Sequence, residues 1–250
     1  MLLAILGAVI IGLSLGLFGS GGSILTVPVL MYLVEMPADV SIASSLLIVA
    51  GISLFGSISY IRRKTVSWKH FWVFGIPGMI GTYCGAWLGT IVDSRWQLLV
   101  FSLLMIAAAV LMWRSKPRPV EQQPQMNYAK VTLEGLIVGV ITGFVGVGGG
   151  FLIVPALVLL AGLSMPVAIG TSLLIIVIKS IAGFFKYYAV MAAQDVQFDW
   201  FIIGLMIAGG VLGSVFGSKL GRSLPKEKLQ KGFAVFLVAM GIFVIAKSVI

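Results

Sequence analysis

One Gly-rich segment occurs twice in this chain, with the two copies 127 residues apart. The first copy, Gly12–Pro28, reads GLSLGLFGSGGSILTVP, and the second, Gly139–Pro155, reads GVITGFVGVGGGFLIVP. Eight residues of the first copy recur unchanged at this offset: Gly12, Gly16, Gly19, Gly21, Gly22, Leu25, Val27 and Pro28. The pattern predicts an internal duplication of the fold.

Both copies are apolar runs that are interrupted by glycine. Runs of Gly carry the largest backbone entropy cost in a helix, so we expect the helix to break at each run. Inside a membrane, the backbone groups freed by a break must line a cavity that is walled by protein or filled with water. Two Gly/Pro-interrupted segments at matching positions of two halves are typical of the central site of a secondary transporter.

The composition indicates a protein embedded in a lipid bilayer. Of the 250 residues, 60% are apolar and 10% are charged, and the mean hydropathy is +1.13. The formal net charge of +9 comes from bases in short loops, so it indicates membrane topology and no nucleic-acid partner. Cys84 is the only cysteine, and we expect no disulfide, metal site or cofactor.

The apolar segments predict an all-α polytopic membrane protein with about 8–10 membrane segments. Each half begins with a short Gly-broken helix pair, and whether this pair is a re-entrant hairpin or two thin spans stays open. Longer spans are predicted at 39–61, 71–91 and 96–113, and at 166–188, 199–218 and 229–248. The predicted division is a first repeat at 1–113, a cytoplasmic linker at 114–130 and a second repeat at 131–250.

The distribution of Lys and Arg predicts that the two halves have inverted topology. Thirteen of the 17 bases lie in the loops 62–70, 114–130 and 219–231, which are therefore predicted to be cytoplasmic. The repeat equivalent of the first of these loops, near 189–198, has no base and is predicted outside. Both chain termini are then predicted outside as well.

Lys179 is the first candidate for substrate binding. It lies near the middle of a predicted span, where a lysine costs about 2.5–3.5 kcal/mol on insertion scales. Its repeat equivalent is Ile52, so the charge is not part of the shared scaffold. The alternative is a lysine that snorkels or pairs with a backbone carbonyl. Glu134, at the predicted start of its helix, suits the helix dipole and is assigned no functional role.

The Gly-rich turns are the second candidate, because successive N–H groups before a helix form an anion-binding nest. The predicted substrate-binding residues of the turns are Gly19, Ser20, Gly21, Gly22 and Ser23, and Gly146, Gly148, Gly149 and Gly150. Pro28 and Pro155 are the helix-break prolines. Ser44, Ser45, Thr171 and Ser172 could supply hydroxyl donors to the turns, or could bond back to their own helices.

Other glycines are predicted to serve helix packing. Gly81, Gly85 and Gly89 recur at four-residue spacing, which is the pattern of a close helix contact in lipid. The same role is preferred for the glycines that precede the turns: Gly12, Gly16, Gly139 and Gly143. A glycine face of this kind could also serve a homodimer.

The duplicated G-x-x-G-x-G-G-G/S-x-x-x-V-P segment, the T/S-S-L-L-I that follows it and the basic linker resemble the sulfite exporter TauE/SafE family of membrane permeases. The positions that match the family pattern are Gly19, Gly21, Gly22, Pro28, Ser45, Gly146, Gly148, Gly149, Pro155 and Ser172. Lys179 is not carried over from that pattern. The resemblance implies ion-coupled export of sulfite or small organosulfonates across the bacterial cytoplasmic (inner) membrane.

The leading hypothesis is a secondary transporter that holds a sulfur oxyanion, such as sulfite or sulfoacetate, between the two Gly turns and neutralises it with Lys179. Alternating access would come from the rocking of one repeat against the other. No Walker motif is present, so a coupling ion such as the proton is expected to supply the energy, carried by Lys179 or the substrate itself. The alternatives are a permease or passive channel for another small anion, and a membrane-embedded enzyme, which a single His and a single Cys argue against.

Overall fold

The computed structural model describes residues 2–114, 128–147, 150–223 and 226–249, and within these ranges it contains no β-strand. The first half contains α1 (Leu2–Phe18), a 3₁₀ segment (Gly19–Leu25), α2 (Thr26–Tyr32), α3 (Ala38–Arg62), α4 (Trp68–Ile91) and α5 (Ser94–Arg114). The second half contains α6 (Tyr128–Val145), α7 (Gly150–Pro155), a π-helical segment (Ala156–Leu160), α8 (Met165–Ala192), α9 (Trp200–Ser223) and α10 (Lys226–Val249).

Six helices in the described ranges are long and apolar enough to cross a membrane: α3, α4, α5, α6, α8 and α9. Shorter apolar stretches occupy Leu3–Leu17, Gly22–Tyr32 and Ala234–Ala246. The prediction of an all-α polytopic membrane protein is confirmed. The helices break where the glycine runs predict, although residues 148–149 and most of the predicted linker lie outside the described residues.

The same chain reversal ends both broken segments. Glu35 (φ 61°) and its repeat equivalent Gly162 (φ 69°) adopt the left-handed backbone conformation. The N–H of Met36 then donates to the carbonyl oxygen of Leu30 at 3.0 Å, and the equivalent bond in the second half is 2.9 Å long. The duplication therefore extends to the hydrogen bonds of a turn.

Glycine lets two pairs of helices pack with their backbones in contact. A Cβ added at Gly213 of α9 would lie 2.5 Å from the carbonyl oxygen of Val9 in α1. A Cβ added at Gly139 of α6 would lie 3.0 Å from the Cα of Gly78 in α4. The predicted packing role is confirmed for all the glycines to which it was assigned, since a Cβ would meet partner backbone at Gly12, Gly16, Gly81, Gly85, Gly89, Gly139 and Gly143.

The two central helices, α3 and α8, cross in antiparallel directions. A Cβ at Gly183, late in α8, would lie 3.2 Å from Leu46, early in α3. A Cβ at Gly170, early in α8, would lie 2.9 Å from the Cβ of Tyr60, late in α3. The loops that follow α3 and α8 are therefore at opposite ends of the bundle, as inverted halves require. The direction of each half across a membrane stays a prediction.

The two halves interlock. α1 of the first half packs on α9 of the second, α4 packs on α6, and α5 packs on α10. The division into 1–113 and 131–250 stays a prediction from the sequence, and the most extensive helix contacts run between these two segments. A site at the centre of this bundle is necessarily built from both halves.

Candidate substrate site

The two broken segments meet at the centre of the protein. The 3₁₀ segment of the first half packs directly against α7 of the second half, and both pack against α8. Gly22 has a steric reason to be glycine, because a Cβ there would lie 2.5 Å from the Cα of Leu15 in α1. The chain therefore brings the two Gly-rich breaks together across the halves.

The local backbone of the breaks differs from an open turn. Residues Gly19–Leu25, which include the predicted binding residues Gly19, Ser20, Gly21, Gly22 and Ser23, form a 3₁₀ helix. N–H groups in such a helix bond to the carbonyl three residues earlier, so fewer of them are free for an anion than in an open nest. In the second break, Gly146 has a left-handed backbone (φ 71°) and Gly150 begins α7, whereas Gly148 and Gly149 lie outside the described residues.

The four predicted hydroxyl donors have different environments. Ser45 Oγ donates to the carbonyl oxygens of Gly146 and Ile42. Its hydroxyl hydrogen is therefore already bonded to backbone acceptors of the chain. Thr171 Oγ1 accepts a hydrogen bond from the Ser67 N–H at 2.9 Å, and Ser172 Oγ donates back to Ile169 at 2.8 Å. Ser44 Oγ is buried and has no hydrogen-bond partner among the described residues.

Lys179 is the most unusual residue of the interior. Its side chain is fully buried, and Nζ has no hydrogen-bond partner in the part of the chain that the structure describes. The stem lies on α4, where a Cβ at Gly78 would be 3.1 Å from Lys179 Cδ. The snorkelling alternative is wrong, because a snorkelling lysine places its ammonium in water. Lys179 Nζ is instead held in the interior, and no ion pair joins it to any of the described residues.

Ser53 and Ser180 add two more buried hydroxyls at the same crossing. They are repeat equivalents on α3 and α8, both are fully buried, and neither Oγ has a hydrogen-bond partner among the residues described. The antiparallel register places Ser53 within about one helical turn of Lys179 along the crossing. The sequence showed their equivalence but not their lack of partners. A buried hydroxyl without a partner costs about 1–3 kcal/mol, so a ligand or water that bonds to it stabilises the site.

A cavity of about 80 Å³ lies beside the first break, with room for several water molecules. Its lining includes Gly16, Ile52, Ser59, Tyr60 and Ser218. In the second half the tyrosine that matches Tyr60 is Tyr187, whose hydroxyl donates to the carbonyl oxygen of Phe144 at 3.2 Å and to Gln97 Oε1 at 3.3 Å.

By the repeat offset of 127 residues, Tyr187 of the second half is equivalent to Tyr60 of the first, and Lys179 is equivalent to Ile52. The interior is therefore asymmetric even though the scaffold is repeated. The cavity at Tyr60 is lined by residues of both halves, whereas Tyr187 and the buried Lys179 belong to the second half.

Membrane-length helices around two broken segments that meet in the interior define a polytopic membrane transporter. The chain belongs to the Sulfite exporter TauE/SafE family, which it matches over residues 4–244. The family assignment thus covers both halves and both Gly-rich breaks.

Curated relatives agree with this class. A protein of Xylella fastidiosa (strain 9a5c) named "Probable membrane transporter protein" is 32% identical over 96% of this chain and 92% of its own length. YunE of Bacillus subtilis, which carries the same description, is 27% identical over 93% of this chain and 94% of its own length. The family and these relatives are named as transporters and not as enzymes. No solved structure matches the chain.

Proposed function

We propose that this protein exports a small sulfur oxyanion, sulfite or an organosulfonate such as sulfoacetate, across the bacterial cytoplasmic membrane. The observation that carries the proposal is the buried Nζ of Lys179, which has no hydrogen-bond partner within the described ranges. An isolated charge in a low-dielectric interior is costly, and an anion that binds to it removes most of that cost. The family name supports sulfite as the member of this class to test first.

The buried donors of α3 and α8 are of the kind that an oxyanion accepts from. An ammonium has three N–H donors, and charge-assisted bonds to an ionised oxygen are roughly twice as strong as neutral ones. Ser53, Ser180 and Ser44 each hold a buried hydroxyl without a partner among the described residues. Sulfite and sulfonates present three oxygens that can accept from the ammonium and from two such hydroxyls. Backbone N–H groups of the Gly-rich breaks that are not used within the 3₁₀ segment would contribute further donors.

Alternating access follows from the repeat. We propose that the halves are inverted, with the loops 62–70, 114–130 and 219–231 cytoplasmic and both termini outside. The antiparallel crossing of α3 and α8 supports this arrangement, as does the concentration of Lys and Arg in those loops. Rocking of one set of helices against the other would then expose the central site to each side in turn.

Anion-dependent thermal stabilisation of the purified protein tests the binding site. Wild type, Lys179→Met and Lys186→Met are heated in detergent with sulfite, sulfoacetate, taurine, sulfate or chloride. Methionine keeps most of the side-chain volume and removes the charge. Lys186 is the matched control, since it lies on the same helix with Nζ 5.5 Å from the ring centre of Tyr83. A ligand at 100 times its Kd stabilises by about 2.7 kcal/mol.

We expect sulfite or a sulfonate to raise the melting temperature of wild type and Lys186→Met but not that of Lys179→Met. Equal stabilisation of Lys179→Met would place the anion elsewhere. If no sulfur oxyanion stabilises the wild type, the proposed substrate class is wrong. In proteoliposomes, accumulation against a concentration gradient distinguishes the transporter from a passive anion channel, which only equilibrates its substrate.

A further inference from the structure

The side chain of Tyr187 joins four helices at one end of the bundle. Tyr187 lies late in α8 and is 4% exposed. Its hydroxyl lies 3.4 Å and 3.2 Å from the carbonyl oxygens of Gly143 and Phe144, near the end of α6, and 3.3 Å from Gln97 Oε1 in α5. A Cβ at Gly89, near the end of α4, would lie 3.1 Å from Tyr187 Cζ. We call these five residues the Tyr187 cluster.

The cluster supplies donors to helix ends. The last carbonyls of a helix have no partner within it, and Gly143 and Phe144 belong to the last turn of α6, which ends at Val145. The hydroxyl hydrogen of Tyr187 serves one of these acceptors at a time. Gln97 Nε2 donates to the carbonyl oxygens of Gly89 and Val92 at the end of α4, the latter at 3.0 Å. Side chains of α8 and α5 therefore bind the ends of α6 and α4.

A cavity lies at the equivalent place in the first half. Tyr60 and Gly16 are the repeat equivalents of Tyr187 and Gly143, and both line the cavity of about 80 Å³ described above. In the second half, the same two positions are joined by the Tyr187 cluster. One fold therefore has two different packings at equivalent places.

The neighbouring helix contacts show the same difference. A Cβ at Gly183 in α8 would lie 3.0 Å from Thr82 in α4 and 3.2 Å from Leu46 in α3. Among the described residues, a Cβ at the equivalent Gly56 would have only Leu173, the equivalent of Leu46, within 4 Å, at 3.8 Å. Helix α4 also makes more extensive contact with α8 than its equivalent α9 makes with α3. The packing is therefore tighter at the Tyr187 cluster than at the cavity.

The two places lie on opposite sides of the centre of the bundle. Tyr187 comes eight residues after Lys179 in α8, a rise of about 12 Å. Tyr60 comes equally far after Ile52, the equivalent of Lys179, in α3. Because α3 and α8 are antiparallel, Tyr187 lies toward the predicted outer end and Tyr60 toward the predicted cytoplasmic end.

We propose that the Tyr187 cluster is the outer gate of the transport route and that the cavity at Tyr60 belongs to its inner entrance. This inference rests on the alternating access of the proposed function. In the opposite state of an inverted-repeat transporter, the two repeats exchange conformations. Opening the outer side then separates Tyr187 from the end of α6, where the second Gly-rich break begins, while the space at Tyr60 closes.

Labelling of two equivalent cysteines tests the gate. In a Cys84→Ala background, a single cysteine replaces either Ser214, which lines the cavity, or Ala86, its fully buried equivalent at the repeat offset with a one-residue slip. A small, charged, membrane-impermeant methanethiosulfonate is applied to vesicles of each orientation without substrate. We expect Ser214→Cys to react from the cytoplasmic face, and Ala86→Cys to react more slowly and from the outer face.

Tyr187→Phe then removes the hydroxyl and keeps the ring. It should raise the labelling rate of Ala86→Cys by about 2–10-fold, the effect of one hydrogen bond on a two-state equilibrium, without raising that of Ser214→Cys. Tyr188→Phe is the matched control, because Tyr188 is the next residue, is 39% exposed and takes no part in the Tyr187 cluster. It should leave both rates unchanged.

Two results would overturn the gate. One is an unchanged rate of Ala86→Cys in folded Tyr187→Phe. The other is an equal rise at both cysteines, which is the mark of a general loosening of the bundle. If Tyr187→Phe does not fold, Gln97→Met removes the other polar side chain of the cluster and should give the same one-sided rise, and its absence in the folded variant contradicts the gate.

The labelling needs no ligand, so it fails separately from the proposed function. If sulfite stabilises the protein through Lys179 but the one-sided rise is absent, the gate is wrong and the proposed function stands. If sulfite does not bind but the rise occurs, the gate is supported in a transporter of another substrate.

Discussion

The hydroxyl of Ser45 in α3 donates to the carbonyl oxygen of Gly146, a residue 101 positions further along the chain. Gly146 is the point at which the second Gly-rich segment leaves its helix with a left-handed backbone. A carbonyl at a helix break has lost its intrahelical partner, and Ser45 replaces that partner from the other half. This hydrogen bond therefore ties the second Gly-rich break to α3.

Ser45→Ala should destabilise the protein by about 1–3 kcal/mol, because it leaves the buried carbonyl of Gly146 without this donor. Ser57→Ala is the control on the same helix, since the buried Ser57 Oγ donates only to Leu54 within α3 in the described structure, at 2.7 Å. Melting temperatures in detergent compare the two variants. Similar melting of both would show that the contact between the halves adds no stability.

Gly213→Ala should lower the melting temperature although alanine is the better helix former. The added methyl would meet the backbone of α1 at Val9 and Leu13, and such overpacking costs about 1–3 kcal/mol. Gly204→Ala on the same helix has no atom within 4 Å of the new Cβ, so it should be neutral or stabilising by up to about 1 kcal/mol. A Gly213→Ala variant as stable as Gly204→Ala would contradict the close approach of α1 and α9.

The paired chain reversals predict opposite effects in the two halves. Glu35→Gly should stabilise, because a non-glycine residue in the left-handed region costs about 1–2 kcal/mol. Gly162→Ala should destabilise by a similar amount for the same reason. Both positions are repeat equivalents with nearly the same φ, so each variant is the control for the other. Changes of the same sign in both would rule out backbone strain as the cause.

Cysteine labelling tests the inverted halves. In a Cys84→Ala background, which removes the only native thiol, single cysteines are placed at Arg63 and Gln194. Both positions are exposed, and they follow α3 and α8 at opposite ends of the bundle. A membrane-impermeant maleimide should label Gln194→Cys in right-side-out vesicles and Arg63→Cys in inside-out ones. Labelling of both from the same side would refute inversion, and the background variant must stay unlabelled.

Hydropathy and the glycine duplication predicted the helices to within a few residues, because the bilayer fixes the length of an apolar span and a glycine run breaks it wherever it occurs. Helix α8 continues to Ala192, four residues past its predicted end, because residues 189–193 are all apolar and the chain reverses only at Asp195. At the start of α6, a difference of three residues between the predicted and the described helix changes the turn in which Glu134 lies. The described helix begins at Tyr128, and those three extra residues move Glu134 from the first turn of α6 into the second.

The sites that the sequence missed are those decided by tertiary contacts. A serine in an apolar helix usually bonds back to its own backbone, as Ser172 and Ser57 do. Nothing local distinguishes these from Ser53 and Ser180, whose hydroxyls lack partners among the described residues. Lys179 could be predicted because a charge in the middle of a span is costly wherever the helix packs.

Because α1 packs on α9, the first helix must wait during synthesis for a packing partner that is made much later. At a chain growth of about 5–20 residues per second, roughly 10–40 s separate the emergence of α1 from that of the glycine face on which it packs. During that interval the first helix, of 17 residues, packs only on neighbours such as the 3₁₀ segment that follows it, and its glycines lack the α9 backbone. During synthesis, lipid or the insertion machinery must therefore cover the glycine face of α1 until α9, in the last quarter of the chain, has been made.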